Sequence, residues 1–144
     1  MDFLKRPPMS PAFYAANAES VAPRLLGKIL VVQTPQGVTA GEIVEVEAYL
    51  GHEDPASHAF PGMRRRNRSM FEVGGTCYVY LSYGVHYCMN VVTGRAGDGQ
   101  AVLIRAAKPV LGEDIMSLRR GHAKGLTNGP GKLTQAFGIN IDDD

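Results

Sequence analysis

The sequence predicts an α+β fold: a single domain over residues 1–144, with a curved, mostly antiparallel sheet, short flanking helices and a protruding β-hairpin. Three observations carry that expectation. Strand-like runs outnumber helical ones. Most are joined by hairpin-length turns, not by the long crossovers that parallel strands need. The chain of 144 residues suits one domain and can bury a core without staples.

Taken in order, residues 1–9 read as a loose N-terminal arm. Ser10-Pro11 starts a short helix over 13–16, with Ser10 as cap and proline in the first turn. A second helix, 20–26, stops at Gly27. Pro23 is tolerated in a first turn, which makes Ser20 the expected cap. KILVVQT (28–34) is a β-branched strand, and Pro35-Gln36-Gly37 is a turn. The chain returns as a strand over 38–50. There Val44, Val46, Ala48 and Leu50 point to a core face, and Ile43, Glu45, Glu47 and Tyr49 to the other. The long loop 51–67 follows, and ordered loops of that length tend to be functional. After Met70-Phe71 and a break at Gly74-Gly75, strands 76–81 and 86–92 form a hairpin around Ser82-Tyr83-Gly84-Val85. A flexible turn covers 94–99. AVLIRAA (101–107) is a near-continuous apolar strand interrupted by Arg105. A helix over 113–119 ends at Gly121. A last helix starts at Pro130 and stops at Gly138. Residues 140–144 form an acidic tail.

Composition is that of a globular protein, 44% apolar and 20% charged. Cys77 and Cys88 make neither a disulfide framework nor a zinc site. The four histidines, 52, 58, 86 and 122, do not pair at a metal spacing, so no metal is expected. No apolar run can span a membrane, and the first residues lead into Pro7-Pro8 and not into a signal sequence. The expected location is cytoplasmic. Net charge is +1, but residues 142–144 are all aspartate. Arg64, Arg65, Arg66 and Arg68 crowd into a short run that is either a solvated loop or a phosphate footprint.

Several side chains stand out. Glu45 and Glu47 share a strand face. Two carboxylates so placed can do acid and base work on a glycosidic bond, or simply alternate outward on a half-solvated strand. Arg105 breaks a strand that reads as buried on both faces, and a buried guanidinium needs an acidic partner. That partner is a structural carboxylate or Glu47 across a water. Tyr78 and Tyr87 read as packing. Tyr83 falls at the hairpin tip beside Gly84, where no core can receive it; it is either a stray surface aromatic or a wedge between stacked bases. Asn90 interrupts an apolar strand, and its amide must find partners. Gly129-Pro130-Gly131-Lys132 at a helix start can bind phosphate through free N–H groups, without the full P-loop pattern.

Five ordered blocks then carry a resemblance: GEIVEVEAYLGHEDPASHAF, RNRSMF, YVYLSYGVHYCMNVV, AVLIRAAKP and NGPGKLTQAFGI. From about residue 25 to residue 139 the sequence resembles the alkyladenine (3-methyladenine) DNA glycosylase family. The resemblance implies a base-excision-repair enzyme that flips a damaged purine out of duplex DNA and hydrolyses its N-glycosidic bond, leaving an abasic site. It implies that Glu47 is the base that activates water and that Arg105 helps hold that water. Tyr49 matches one wall of the base pocket; His58 and Tyr80 match the other. Asn90 matches the residue that crowds the exocyclic amine of guanine, and Tyr83 the one that enters the minor groove. Arg64, Arg65, Arg66, Arg68 and Lys132 become phosphate contacts. No cofactor is implied, and no lysine sits in the blocks around the base, so hydrolysis without strand cleavage is expected.

Tyr80 and Asn90 must then face one pocket, which requires an odd hairpin loop or a bulge near the tip. The family also continues beyond the IDDD with which this sequence ends, adding strands to the sheet and a carbonyl that helps hold the water. This leaves a second expectation beside catalysis, a module that grips damaged DNA without turnover; the chain is expected to be a monomer unless another chain supplies the missing segment.

Overall fold

The computed structural model describes residues 2–51, 54–60 and 62–144. Five strands form one curled sheet: β1 (Ile29–Thr34), β2 (Gly37–Tyr49), β3 (Cys77–Ser82), β4 (His86–Thr93) and β5 (Gln100–Leu111). The spatial order is β1-β2-β5-β4-β3, and each pairing is antiparallel. The α+β class and the antiparallel sheet are as the sequence predicts. The last strand in sequence is the middle strand in space. That is why AVLIRAA reads as apolar on both faces: Ala101, Val102, Leu103, Ile104, Ala106 and Ala107 are all buried.

Among the described residues, three α-helices flank the sheet: α1 (Ala18–Leu25), α2 (Glu113–Arg120) and α3 (Pro130–Phe137). Val21, Leu25, Met116, Leu133 and Phe137 meet Ile43, Val102 and Ile104 in the main core. A second cluster, Ala59, Met70, Phe71, Tyr78, Val92 and Ala101, lies under the long loop. Among the described residues, no helix is long and apolar enough to cross a membrane.

The helix starts differ from expectation. The segment after Ser10 is a 3-10 turn, Pro11–Tyr14, and the Ser10 side chain makes no cap bond. α1 is capped by Asn17, whose side chain accepts from the Ser20 amide at 2.9 Å. Pro23 therefore sits inside the helix, beyond the first turn. Burial of Ala18, Val21, Ala22 and Leu25 offsets its missing N–H. Asn17→Ala should cost about 1 kcal/mol of stability, measured by urea denaturation with an unchanged slope.

β2 also departs from a plain alternation. Ile43 pairs with Ala107, Glu45 with Ala106 and Val46 with Ile104, with register shifts on either side of Glu45. Val44 and Arg105 have no place in that ladder, as in a β-bulge. The phase flips: Ile43 is in the core, while Val44 is exposed, the reverse of the sequence expectation. Beyond the bulge the expectation holds, with Val46, Ala48 and Leu50 packed on the core.

The hairpin pairs Tyr78 with Asn90, Tyr80 with Cys88 and Ser82 with His86. Its loop is the three residues 83–85, so Tyr78, Tyr80, Cys88 and Asn90 share a face. The strand end predicted at 81 extends to Ser82, and the odd loop satisfies the geometric requirement. Tyr83 and Gly84 both have positive φ, 52° and 68°, as a type I′ turn demands. At the other end of the chain, Asp144 closes onto β3: its carboxylate accepts from the Val79 amide and the Ser69 hydroxyl, each at 2.9 Å.

Candidate active site

The site is built on the end of β2 and the face of the hairpin. Gly51 ends the strand with φ +81°, and a Cβ there would lie 2.6 Å from the Asp98 carbonyl oxygen. Only glycine fits so close an approach. His52 and Glu53 lie outside the described residues. Asp54 then ties the turn together, accepting from the amides of Leu50 and Ala56 at 3.2 and 3.0 Å. Asn67 anchors the rest of the loop. It is 3% exposed; its Nδ2 donates to the carbonyls of His58 and Gly62, and its Oδ1 accepts from the Arg64 amide at 2.6 Å. These bonds carry His58 over the hairpin.

There Tyr49, Ala56, His58, Met70, Tyr78, Tyr80 and Asn90 line a pocket with about 250 Å³ of empty space, including its open mouth. The His58 and Tyr80 rings meet edge-on with centroids 4.2 Å apart. The Tyr78 hydroxyl and His58 Nδ1 are 3.1 Å apart. The Asn90 Nδ2 donates to the Tyr78 carbonyl at 3.3 Å, and Asn90 is buried. The pocket thus gathers the four residues expected there.

Sequence reasoning passed over two others, Tyr78 and Asn67. Tyr78 lies two residues before Tyr80 and opposite Asn90, so the three-residue loop alone would have found it. Asn67 stands inside RNRSMF, where the arginines drew attention.

At the rim, Tyr49 Oη donates to Glu47 Oε1 at 2.6 Å, and Arg105 Nη1 donates to Glu47 Oε2 at 3.1 Å. Arg105 Nε donates to Glu45 at 3.0 Å. The guanidinium touches Glu47 directly, where a bridging water was expected. Nor is it buried: its side chain is 34% exposed, against 58% for Glu45 and 46% for Glu47. The bulge turns it out of the ladder onto the carboxylate face. Pairs this open are screened by solvent, so they fix geometry more than they stabilise the fold.

The electrostatics keep the pocket uncharged. Burial, then the hydrogen bond to Glu47, pushes the Tyr49 phenol up to about 12. Burial also pushes Tyr78 up to about 12 and raises Tyr80. Arg105 is raised, chiefly by its hydrogen bond to Glu45. Burial among the tyrosines, then the Arg66 charge, lowers His58 below its ordinary 6.5. Folding therefore costs His58 proton affinity. Its contribution to stability is present above about pH 6.5 and is lost as pH falls through the lower folded value. His58→Gln should remove that part of the acid-side loss, measured by melting temperatures at about pH 5 and pH 7.5.

The remaining predicted residues lie outside the pocket. Tyr83 is 98% exposed at the hairpin tip. Arg64 precedes the 3-10 segment Arg65–Phe71. Arg64 and Arg66 line an open depression with about 770 Å³ of empty space, bordered also by Ser57, His58 and Asn67. Arg68 is exposed in the same segment. Lys132 is exposed in the first turn of α3, where a Cβ on Gly131 would lie 2.7 Å from the His86 ring, so that ring covers part of the helix start. Among the described residues, no three His, Cys, Asp or Glu side chains converge as a metal-binding group.

Comparison with known proteins places the sequence in a family. A family model described as methylpurine-DNA glycosylase matches residues 12–144. A relative from Methanoculleus marisnigri is 53% identical over 133 residues, 91% of this chain and 68% of its own length. Relatives from Chlorobaculum parvum and Francisella tularensis are 51% and 48% identical, over 88% and 85% of this chain and 62% and 64% of their lengths. All three are assigned the name 3-methyladenine DNA glycosylase. The chain spans about two thirds of the length of these relatives. With a match over most of its residues, the chain belongs to the methylpurine-DNA glycosylase family.

Proposed function

We propose that this chain flips a damaged purine out of duplex DNA and hydrolyses its N-glycosidic bond, leaving an abasic site and an intact strand. The observation that carries the reading is the Glu47 carboxylate at the rim of an aromatic slot, one oxygen held by Tyr49 and the other by Arg105. A carboxylate offers about four lone-pair sites, so each oxygen keeps one to receive a proton. Glu47 takes that proton from a water as it attacks the anomeric carbon. The bond to the purine nitrogen breaks, and the base leaves with its electron pair. An N-methylated cationic purine departs as a neutral base, so one carboxylate suffices.

Tyr49 and the His58–Tyr80 pair supply electron-rich ring faces that attract a cationic purine, worth about 0.5–2 kcal/mol. An uncharged imidazole at His58 suits such a guest. The buried Asn90 amide gives the floor a fixed polar group that crowds an unwanted exocyclic amine. Tyr83 fills the gap in the stack, and Arg64, Arg65, Arg66, Arg68 and Lys132 face phosphates. The test uses duplexes carrying 3-methyladenine, hypoxanthine or ethenoadenine, and counts abasic sites. Release of base supports the reading; tight binding without release would support a non-catalytic binding module instead.

A further inference from the structure

We propose that Glu45 is a positioning residue: it holds Arg105 by Nε so that the guanidinium engages Glu47 at a single oxygen. The inference rests on the reading of Glu47 as the base. Its origin is the bulge. Register shifts on both sides of Glu45 leave Arg105 outside the ladder, opposite two carboxylates on one strand face. One guanidinium then serves two acids through different nitrogens, Nε to Glu45 at 3.0 Å and Nη1 to Glu47 Oε2 at 3.1 Å. Two attachment points fix the orientation of a planar guanidinium; one leaves it free to turn about its own bond.

The consequence falls on Glu47. Guanidinium and carboxylate favour a two-pronged pair that occupies both oxygens. Arg105 released from Glu45 would close on Glu47 in that way, competing with Tyr49 for Oε1 and saturating the group that must accept a proton. With Glu45 in place, Tyr49 keeps Oε1 and Arg105 keeps to Oε2. Glu45 touches neither base nor water in this arrangement; it acts through Arg105.

The test measures single-turnover release of 3-methyladenine from a duplex, beside the affinity for that duplex. Glu45→Ala should lower release on the order of 100-fold, the scale of a misplaced catalytic group, with affinity unchanged. Glu45→Asp should recover part of the loss. In an Arg105→Ala background, Glu45→Ala should cost nothing further. An undiminished rate, or an equal loss in both backgrounds, would overturn the proposal.

A second readout is independent of turnover. The NMR signal of the Arg105 Nε–H should move in Glu45→Ala and stay in place in Glu47→Ala. A signal that ignores Glu45, or follows Glu47 instead, would overturn the positioning role. Should the wild-type protein release no base at all, the function proposed above fails, and the Nε–H signal still decides the role of Glu45.

Discussion

Glu47→Gln should abolish most base release, by roughly 10²- to 10⁴-fold, while duplex affinity stays within a factor of about two. The substitution keeps the shape of the side chain and removes its ability to take a proton. It also breaks the symmetry of the site. A glutamine must turn its amide nitrogen toward one of the two donors, Tyr49 or Arg105, whereas the carboxylate accepts from each, at 2.6 and 3.1 Å. Arg105 keeps its bond to Glu45, so the rim should hold its form. The fold should not suffer, because Glu47 is 46% exposed and its ion pair is screened. Release followed beside equilibrium binding separates the two effects. A Glu47→Gln protein with an undiminished rate would move the base elsewhere, first to Glu45.

Tyr83→Ala should lower excision from duplex DNA by roughly 10- to 100-fold, with little effect on a single-stranded substrate. Flipping a base leaves a hole in the stack, and unstacking costs a few kcal/mol. A side chain that fills the hole returns part of that cost. Tyr83 is 98% exposed and, with φ 52°, stands in a conformation that L residues rarely adopt. Holding an aromatic there gives no packing return inside the protein, which is how strain at a working site presents itself. Alanine meets the same backbone demand, so the melting temperature should barely change. A drop on single strands equal to that on duplexes would point to a general defect and not to the loss of a wedge.

Much of this fold was legible in the sequence because local and tertiary preferences agree. The apolar run of β5, the stops at Gly121 and Gly138, and the start at Pro130 all appear where the sequence places them. What escaped depends on register. Ile43 and Val44 exchanged faces because the ladder is irregular around Glu45, where Val44 on one strand and Arg105 on the other drop out of pairing, and strict alternation carries no sign of it. Arg105 read as buried for the same reason, and its direct grip on both carboxylates follows from the bulge. Asn17 was missed as a cap because Pro23 drew the helix start inward, a preference that the burial of α1 overrode. The ordered motif blocks brought Tyr49, His58, Tyr80 and Asn90 together, whereas Tyr78, read as packing, lines the same pocket; strand spacing alone does not separate Glu45 from Glu47. Geometry now distinguishes them: Glu47 meets Tyr49 beside the slot, and Glu45 meets the Nε of Arg105.

Whether a single positioned carboxylate makes this chain a hydrolase of damaged purines in DNA is tested with a duplex carrying one 3-methyladenine, incubated with the protein and divided before a hot-alkali step. Free base is expected, with abasic sites that break only after alkali. Strand breaks before alkali, or stable binding with no free base, would contradict it.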